Sequence, residues 1–127
     1  MEIKVSLPLH IHINGKKIAL SLNEYRNLHF QVLSKLKKQA SRIVLSQLPN
    51  PPAKPFNSAD IQVLFFPDNL HKDLRNFAPI ASKFADDAMV EYGFLKDDNC
   101  KYITSVHDQV MELDSKNPRT EIIYFLK

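Results

Sequence analysis

Cysteine and glycine are scarce in this chain of 127 residues, which contains one cysteine, Cys100, and two glycines. One cysteine excludes an intramolecular disulfide framework and a multi-cysteine zinc site, and it predicts a reducing, cytosolic setting. Two glycines exclude a glycine-rich phosphate loop, so we expect no nucleotide cofactor. No apolar run approaches the roughly 18 residues of a membrane span. The first residues, MEIKVSLPLH, lack a signal-peptide profile, so we expect no membrane partner.

Composition and charge describe a globular protein with an uneven charge distribution. Hydrophobic residues make up 44% and charged residues 24%, which excludes disorder and a collagen-like chain. The length predicts one domain over residues 1–127. Residues 1–58 carry a net charge of +7 and residues 59–127 carry −4. This asymmetry suits an enzyme that binds a polyanion and holds a metal ion, and it also fits a chance distribution of solvated charge.

The N-terminal segment predicts a β-hairpin. Apolar and polar residues alternate over 2–14, which is typical of a strand with one buried face. Asn14-Gly15 is a strong hairpin-turn signal, and a second strand is expected over 16–22. Pro8 lacks an N–H for the ladder, so it should lie at a sheet edge or a bulge.

From Asn23 the apolar period changes to three and four residues, which predicts a helix of about 20 residues ending near Gln47. The polar face of this helix carries many cations. It is either a solvated surface or a surface that contacts phosphates. The candidate DNA-binding residues are Lys35, Lys37, Lys38 and Arg42 on this face, with Arg26 just before the helix.

The remaining pattern predicts an α+β fold in the order β-β-α-β-α-β-β, with a mixed or mainly antiparallel sheet packed with two helices. Four prolines make residues 49–58 a rigid extended connection. A second helix is expected to start near Pro79, because proline is tolerated in a first helical turn, and to stop at Gly93. The expected elements are a strand over 59–66, a helix over 79–92, and strands over 101–113 and 120–126.

Aspartates concentrate in the second half of the chain. Carboxylates at a strand end and in a later loop can converge in the fold, and such oxygen ligands suit Mg²⁺, with Mn²⁺ as a substitute. Asp97 and Asp98 also fit a simpler interpretation as turn residues. The acidic positions are Asp73, Asp86, Asp87, Asp97 and Asp98.

The segment 71–102 contains Asp73-Leu74, Asn76, Lys83, Asp87-Ala88-Met89, Gly93-Phe94 and Asp97-Asp98. In these residues it resembles the RusA family of Holliday junction resolvases, which are common in bacteriophages and prophages. The family pattern is a basic residue followed by D-L-D-N, then a helix with a lysine and D-A-[LM], then G-hydrophobic-x-x-D-D. Upstream, NEYRNLHF at 23–30 is similar to the Asn/Arg/His-rich segment of the family.

The resemblance implies a Mg²⁺-dependent endodeoxyribonuclease that cuts four-way DNA junctions symmetrically during recombination and repair. It implies that Asp73 and Asp98 are catalytic metal ligands, with Asp97 as a further ligand. It implies that Lys83 is catalytic and neutralises charge on the phosphoryl oxygens. It also implies a homodimer, because a two-fold substrate has two equivalent strands to cut.

Arg75 departs from the family pattern, which has a second aspartate there. At about 4 Å, one pair of unit charges is worth roughly 4 kcal/mol at an effective dielectric of 20, so this reversal should weaken metal binding. Four interpretations are open. Asp97 or Asp68 supplies a substitute carboxylate, Arg75 contacts DNA phosphate, the protein binds junctions but cuts poorly, or the arginine was introduced to inactivate it.

Three function hypotheses follow from the sequence. The first is the junction-resolving endonuclease, and the second is a catalytically impaired junction-binding protein. The third is an α+β interaction module with no role on nucleic acid, which would show no preference for junction over duplex DNA.

Overall fold

The computed structural model describes all residues from 1 to 127. It contains helices and strands in the α+β arrangement that the sequence predicts, with a four-stranded mixed sheet, a two-stranded sheet and three helices. The elements are β1 (Glu2–Pro8), β2 (His10–Ile13), β3 (Lys16–Ala19), α1 (Leu22–Asn27), α2 (Phe30–Leu45), β4 (Ala59–Phe66), α3 (Leu74–Glu91), β5 (Ile103–Val110) and β6 (Arg119–Leu126).

The main sheet has the strand order β1-β6-β4-β5. β6 pairs antiparallel with both β1 and β4, and β5 pairs parallel with β4. A parallel pair needs a crossover connection, and α3 supplies it between β4 and β5. Pro8 lies in the edge strand β1, as its missing N–H predicts.

The small sheet is the predicted hairpin. Asn14 and Gly15 connect β2 to β3 with φ values of 53° and 76°, which is the left-handed pair that an Asn-Gly turn adopts. The expected continuous strand over 2–14 is instead two strands, because the chain leaves the main sheet after Pro8. The hairpin is therefore a separate sheet, and its buried Ile11, Ile13 and Ile18 belong to the main core beside α2.

The helix of about 20 residues expected to end near Gln47, with Arg26 just before it, is α2, and the structure adds a short helix, α1, ahead of it. Ser21 caps α1 by accepting a hydrogen bond from the Glu24 N–H (3.3 Å). The chain then extends through Leu28, and the His29 imidazole accepts from the Gln31 N–H (3.3 Å) at the start of α2. α1 was not predicted, because its six residues are too few to show a helical period in the sequence.

α3 begins five residues earlier than the sequence predicted, and Pro79 lies inside it. The N-cap is Asp73, whose carboxylate accepts from the Arg75 N–H (3.0 Å). Asp73 therefore determines the start of the helix. The predicted stop is confirmed, because Gly93 has φ +84° and the Gly93 and Phe94 N–H groups bond back to the last-turn carbonyls.

α2 and α3 cover one face of the main sheet, α1 packs against α3 and β3, and a continuous cluster of 25 buried residues fills the space between these elements. α2 packs over β1, while α3 lies across β6 and β4. Phe77 stacks on Phe65 at the carboxyl end of β4, and Asp86 reaches Tyr124 at the other end. α3 therefore runs antiparallel to β4. None of the helices has the length and apolar character to cross a membrane.

Candidate nucleic-acid interface

A basic groove runs between α2 and the β2–β3 hairpin. Its volume is about 190 Å³, and we call it the α2 basic groove. The Lys35 ammonium donates to the Asn14 side chain (3.2 Å), which connects the helix to the hairpin turn. The spacing of three and four residues places the cations on one helix face. The lining residues are His12, Ile13, Asn14, Lys35, Lys38, Gln39 and Arg42.

The hairpin adds cations that were not among the residues predicted from the sequence. Lys16 and Lys17 follow the Asn-Gly turn and are exposed. Lys16 lines a second groove that shares Ile13 and Asn14 with the first. The sequence signal for these cations is the pair of lysines directly after the predicted Asn-Gly turn.

The remaining predicted lysine of α2, Lys37, lines a neighbouring groove. Lys37 lines it together with Lys38 and Arg42, beside the carboxyl end of α3. There the Ser41 hydroxyl donates to Glu91 (3.1 Å) and lies 2.8 Å from the Tyr92 hydroxyl. The four predicted cations of α2 therefore form one exposed basic surface.

A second site lies where α1 meets the start of α3, and we call it the α3 N-terminal pocket. Its volume is about 320 Å³. The Asn23 N–H donates to the Asn76 side chain (3.3 Å), which joins the two segments. The pocket contains three of the predicted site residues. The lining residues are Leu22, Asn23, Arg26, Asp73, Arg75 and Asn76.

The charge of this pocket suits an anion better than a cation. Arg26 and Arg75 contribute two guanidinium groups, and Asp73 contributes one carboxylate. The Asp73 carboxylate is already used to cap α3. A helix N-terminus adds partial positive charge, and guanidinium groups bind phosphate in a bidentate geometry. The pocket can therefore bind a phosphate group.

A third group of charged residues, the Asp86 cluster, surrounds a mostly buried carboxyl in the second half of α3. The Tyr124 hydroxyl donates to Asp86 (2.7 Å) from β6. Lys83 forms an exposed ion pair with Asp87 (3.7 Å), and both charges act on Asp86. The charge of Asp98 also acts on Asp86. Two of the three predicted catalytic residues, Lys83 and Asp98, therefore lie around this carboxyl.

Burial raises the pKa of Asp86 to about 7. The hydrogen bond from Tyr124 lowers the pKa, but less than burial raises it, and the charges of Asp98 and Asp87 raise it further. The same environment raises the pKa of the fully buried Tyr124 hydroxyl. Asp86 is among the acids singled out from the sequence, but the sequence alone could not show that it is buried.

Asp86 should make the folded state less stable as the pH rises. The folded protein keeps this proton up to about pH 7, while an unfolded chain releases it near pH 4. Stability should therefore fall between those values, by about 4 kcal/mol in all. We expect Asp86→Asn to remove that fall. Denaturant unfolding of both proteins at pH 5 and pH 8, with Asp87→Asn as the exposed control, measures it. If the free energy of unfolding of Asp86→Asn fell between pH 5 and pH 8 as much as that of the parent, this explanation would be contradicted.

The structure separates Asp73 from Asp98 within one protomer. Asp73 caps the start of α3, whereas Asp98 follows the end of that helix, near enough to Asp86 for its charge to act on that carboxyl. A helix rises about 1.5 Å per residue, so residues 73 and 86 lie about 20 Å apart along its axis. The predicted meeting of the two carboxylates is thus not formed in one protomer, because α3 lies between them.

The other acids that were predicted as possible ligands do not complete a metal site. Asp97 accepts from the Asp98 N–H (2.7 Å) and from Asn99 (3.0 Å), as in the simpler turn interpretation. Asp68 forms an ion pair with Lys72 (3.7 Å). No group of three or more His, Cys, Asp or Glu side chains is arranged to hold a metal ion. The residues of a single protomer therefore do not fit the Mg²⁺ centre that the resemblance implies.

Comparisons with known proteins add no family assignment. No protein-family model matches the chain. A search of curated proteins finds no match either.

Proposed function

We propose that this protein is a structure-selective endodeoxyribonuclease that resolves Holliday junctions as a homodimer. One observation carries the proposal. The two separate segments that resemble the RusA family, 23–30 and 71–76, form a single pocket, joined by the hydrogen bond from Asn23 to Asn76. Sequence similarity alone does not require these segments to meet.

Charge supports DNA as the substrate. The α2 basic groove and the α3 N-terminal pocket provide five cations, Arg26, Lys35, Lys38, Arg42 and Arg75. Cations that neutralise phosphates release counterions, which favours binding to a polyanion such as DNA. In the proposal these residues hold the arms of the junction.

Cleavage requires two protomers in this proposal. Within one protomer, Asp73 lies at the start of α3, whereas Lys83 and Asp98 lie towards the other end of this helix. A two-fold dimer can bring unlike ends of two copies together. Lys83 would then face the phosphate, where an ammonium stabilises developing negative charge.

A junction-cleavage assay tests the proposal. Synthetic four-way junctions incubated with Mg²⁺ or Mn²⁺ should show paired symmetric nicks, and Asp98→Asn should lose them. Arg75→Asp should raise the rate by about tenfold or more, because it replaces a cation with a carboxylate beside Asp73. Absence of cleavage by both the parent and Arg75→Asp in either metal would contradict the nuclease function.

The second candidate is a junction-binding protein that does not cut. The position of Arg75, in the same pocket as Arg26 and Asp73, favours it. This candidate requires salt-sensitive binding that prefers junction over duplex DNA without a metal, and cleavage only in Arg75→Asp. Equal affinity for junction and duplex in a gel-shift assay would exclude both candidates and favour an interaction module without a role on DNA.

A further inference from the structure

Phe30 is an exposed aromatic side chain that the hydrophobic core does not use. It is the first residue of α2 and is 71% exposed. The neighbouring Leu28 and Val32 pack against the main core, whereas Phe30 packs against neither hydrophobic cluster. Core packing therefore does not explain a phenylalanine at this position, and its replacement should leave the stability of the fold almost unchanged.

The ring of Phe30 lies against the imidazole of His29. The ring centroids are 4.7 Å apart, and the planes differ by 31°. The imidazole is itself held in place, because its Nδ1 atom accepts from the Gln31 N–H (3.3 Å) as the N-cap of α2. The two rings, which we call the aromatic pair, therefore form a small fixed platform at the start of the helix. Most of Phe30 remains open to solvent.

The aromatic pair lies between the two basic surfaces of the molecule. On one side, Arg26 of the α3 N-terminal pocket is four residues before Phe30, so their Cα atoms are at most about 14 Å apart. On the other side, His29 lines the groove that contains Lys16, and this groove shares two hairpin residues with the α2 basic groove. A DNA strand that runs from one basic surface to the other therefore passes close to the aromatic pair.

The helix also aligns Phe30 with cations. Residues seven and eight positions apart share one face of an α-helix, so Phe30 lies on the face that carries Lys37 and Lys38. These lysines are about 10 and 12 Å further along the helix axis. The first turn of α2 contains no acid, and the helix N-terminus adds partial positive charge near the ring. Such a surface matches a nucleotide, because the ring can stack on the base while the cations hold the phosphates.

We propose that Phe30 stacks on the base pair at the branch point of a four-way junction, and that this contact makes the protein prefer a junction to duplex DNA. Inside a duplex, neighbours cover both faces of each base pair, so a ring can insert only where a step is first unstacked. At a branch point the continuous stack is interrupted, so less stacking has to be broken. The phenyl ring has no hydrogen-bonding group, so it accepts any base.

This inference rests on the junction binding of the proposed function, and it applies equally to a protein that cuts and to one that only binds. The cations contact phosphates, which junction and duplex DNA both contain. They therefore raise the affinity for both forms of DNA. Stacking by Phe30 supplies the difference between the two affinities. A change at Phe30 should thus alter the ratio of the junction and duplex affinities, whereas a change at a cation should lower both.

Tryptophan fluorescence tests the stacking directly, because the chain contains no tryptophan. Phe30→Trp keeps an aromatic ring and introduces the only indole. A four-way junction in EDTA should quench its emission by about half or more, and duplex DNA of the same length should quench it far less. The matched control is Phe125→Trp. Tyr124 reaches α3, so the adjacent Phe125 points to the face of the sheet that the helices do not cover, and its indole should not respond.

Affinities measured by fluorescence anisotropy with labelled DNA test the preference. Phe30→Ala and Phe30→Leu should lower the preference for junction over duplex by about tenfold, while the duplex affinity changes by less than about twofold. Phe30→Tyr keeps a six-membered aromatic ring and should retain the preference. Thermal unfolding of each variant should match that of the parent, because Phe30 packs against neither hydrophobic cluster.

The possible failures of this inference and of the proposed function can be told apart. Junction binding without quenching of Phe30→Trp, equal quenching by junction and duplex, or an unchanged preference in Phe30→Ala and Phe30→Leu would overturn the inference and leave the proposed function standing. An equal loss of both affinities in these variants would do the same. A parent protein that does not bind junctions would overturn both.

Discussion

A mixture of Asp73→Asn and Asp98→Asn proteins is expected to nick junction DNA that neither protein cuts alone. If each site takes Asp73 from one protomer and Asp98 from the other, a mixed dimer has one intact site and one site that lacks both carboxylates. Random exchange makes about half of the dimers mixed, so the recovered nicking should reach about one quarter of the parent rate. Each variant alone should fall by about 100-fold or more, the scale of removing a group that stabilises charge.

The control for this mixing experiment is Asp73→Asn combined with the double variant Asp73→Asn/Asp98→Asn, which contains no intact pair in any dimer. That mixture should stay inactive. If the parent does not cut, all variants are built on Arg75→Asp. The assay measures the initial nicking rate after subunit exchange. No recovery above the single variants would show that the two carboxylates do not come from different protomers.

Reversing the charge of the α2 basic groove should have the largest effect on DNA binding. The triple variant Lys35→Glu/Lys38→Glu/Arg42→Glu replaces three exposed cations with anions. We expect junction affinity to fall on the order of 100-fold or more at moderate salt, because the interactions with phosphate become repulsive. Fluorescence anisotropy over a salt series measures the junction affinity and the slope of the logarithm of that affinity against the logarithm of the salt concentration.

A neutral variant separates direct attraction from repulsion at the same three positions. Lys35→Gln/Lys38→Gln/Arg42→Gln should reduce the salt slope by about 0.9 for each phosphate that the substituted side chains no longer neutralise. The matched control for the triple reversal is Lys54→Glu/Lys96→Glu/Lys116→Glu, at three exposed lysines that line neither of the α2 grooves. An equal loss in the control would mean that net charge, not this groove, determines binding.

Features that depend on short sequence signals could be predicted here. β4 has the predicted bounds, and the Asn14-Gly15 turn and the Gly93 stop are where their backbone preferences place them. Each depends on a few neighbouring residues and on steric limits of the backbone. The start of α3 was predicted wrongly because Pro79 was treated as a first-turn residue, although the Asp73 cap had already started the helix.

Which residues far apart in the sequence lie close together in the fold could not be predicted in the same way. A carboxylate at a strand end and one in a later loop were expected to converge. The structure instead places Asp73 and Asp98 towards opposite ends of α3, a helix of 18 residues. Burial of Asp86 under Tyr124 also depends on β6, which is 38 residues away in sequence. Such contacts follow from strand order, which local periodicity does not encode.

The central strand β6 follows all the other strands along the chain, yet it lies between β1 and β4. During synthesis at about 5–20 residues per second, β1 and β4 are therefore made several seconds before the strand that joins them. Until then both have an unpaired edge, and the core beneath them stays incomplete. The main sheet can therefore close only after β6 has been made, so its strands should pair late in the folding of a nascent chain.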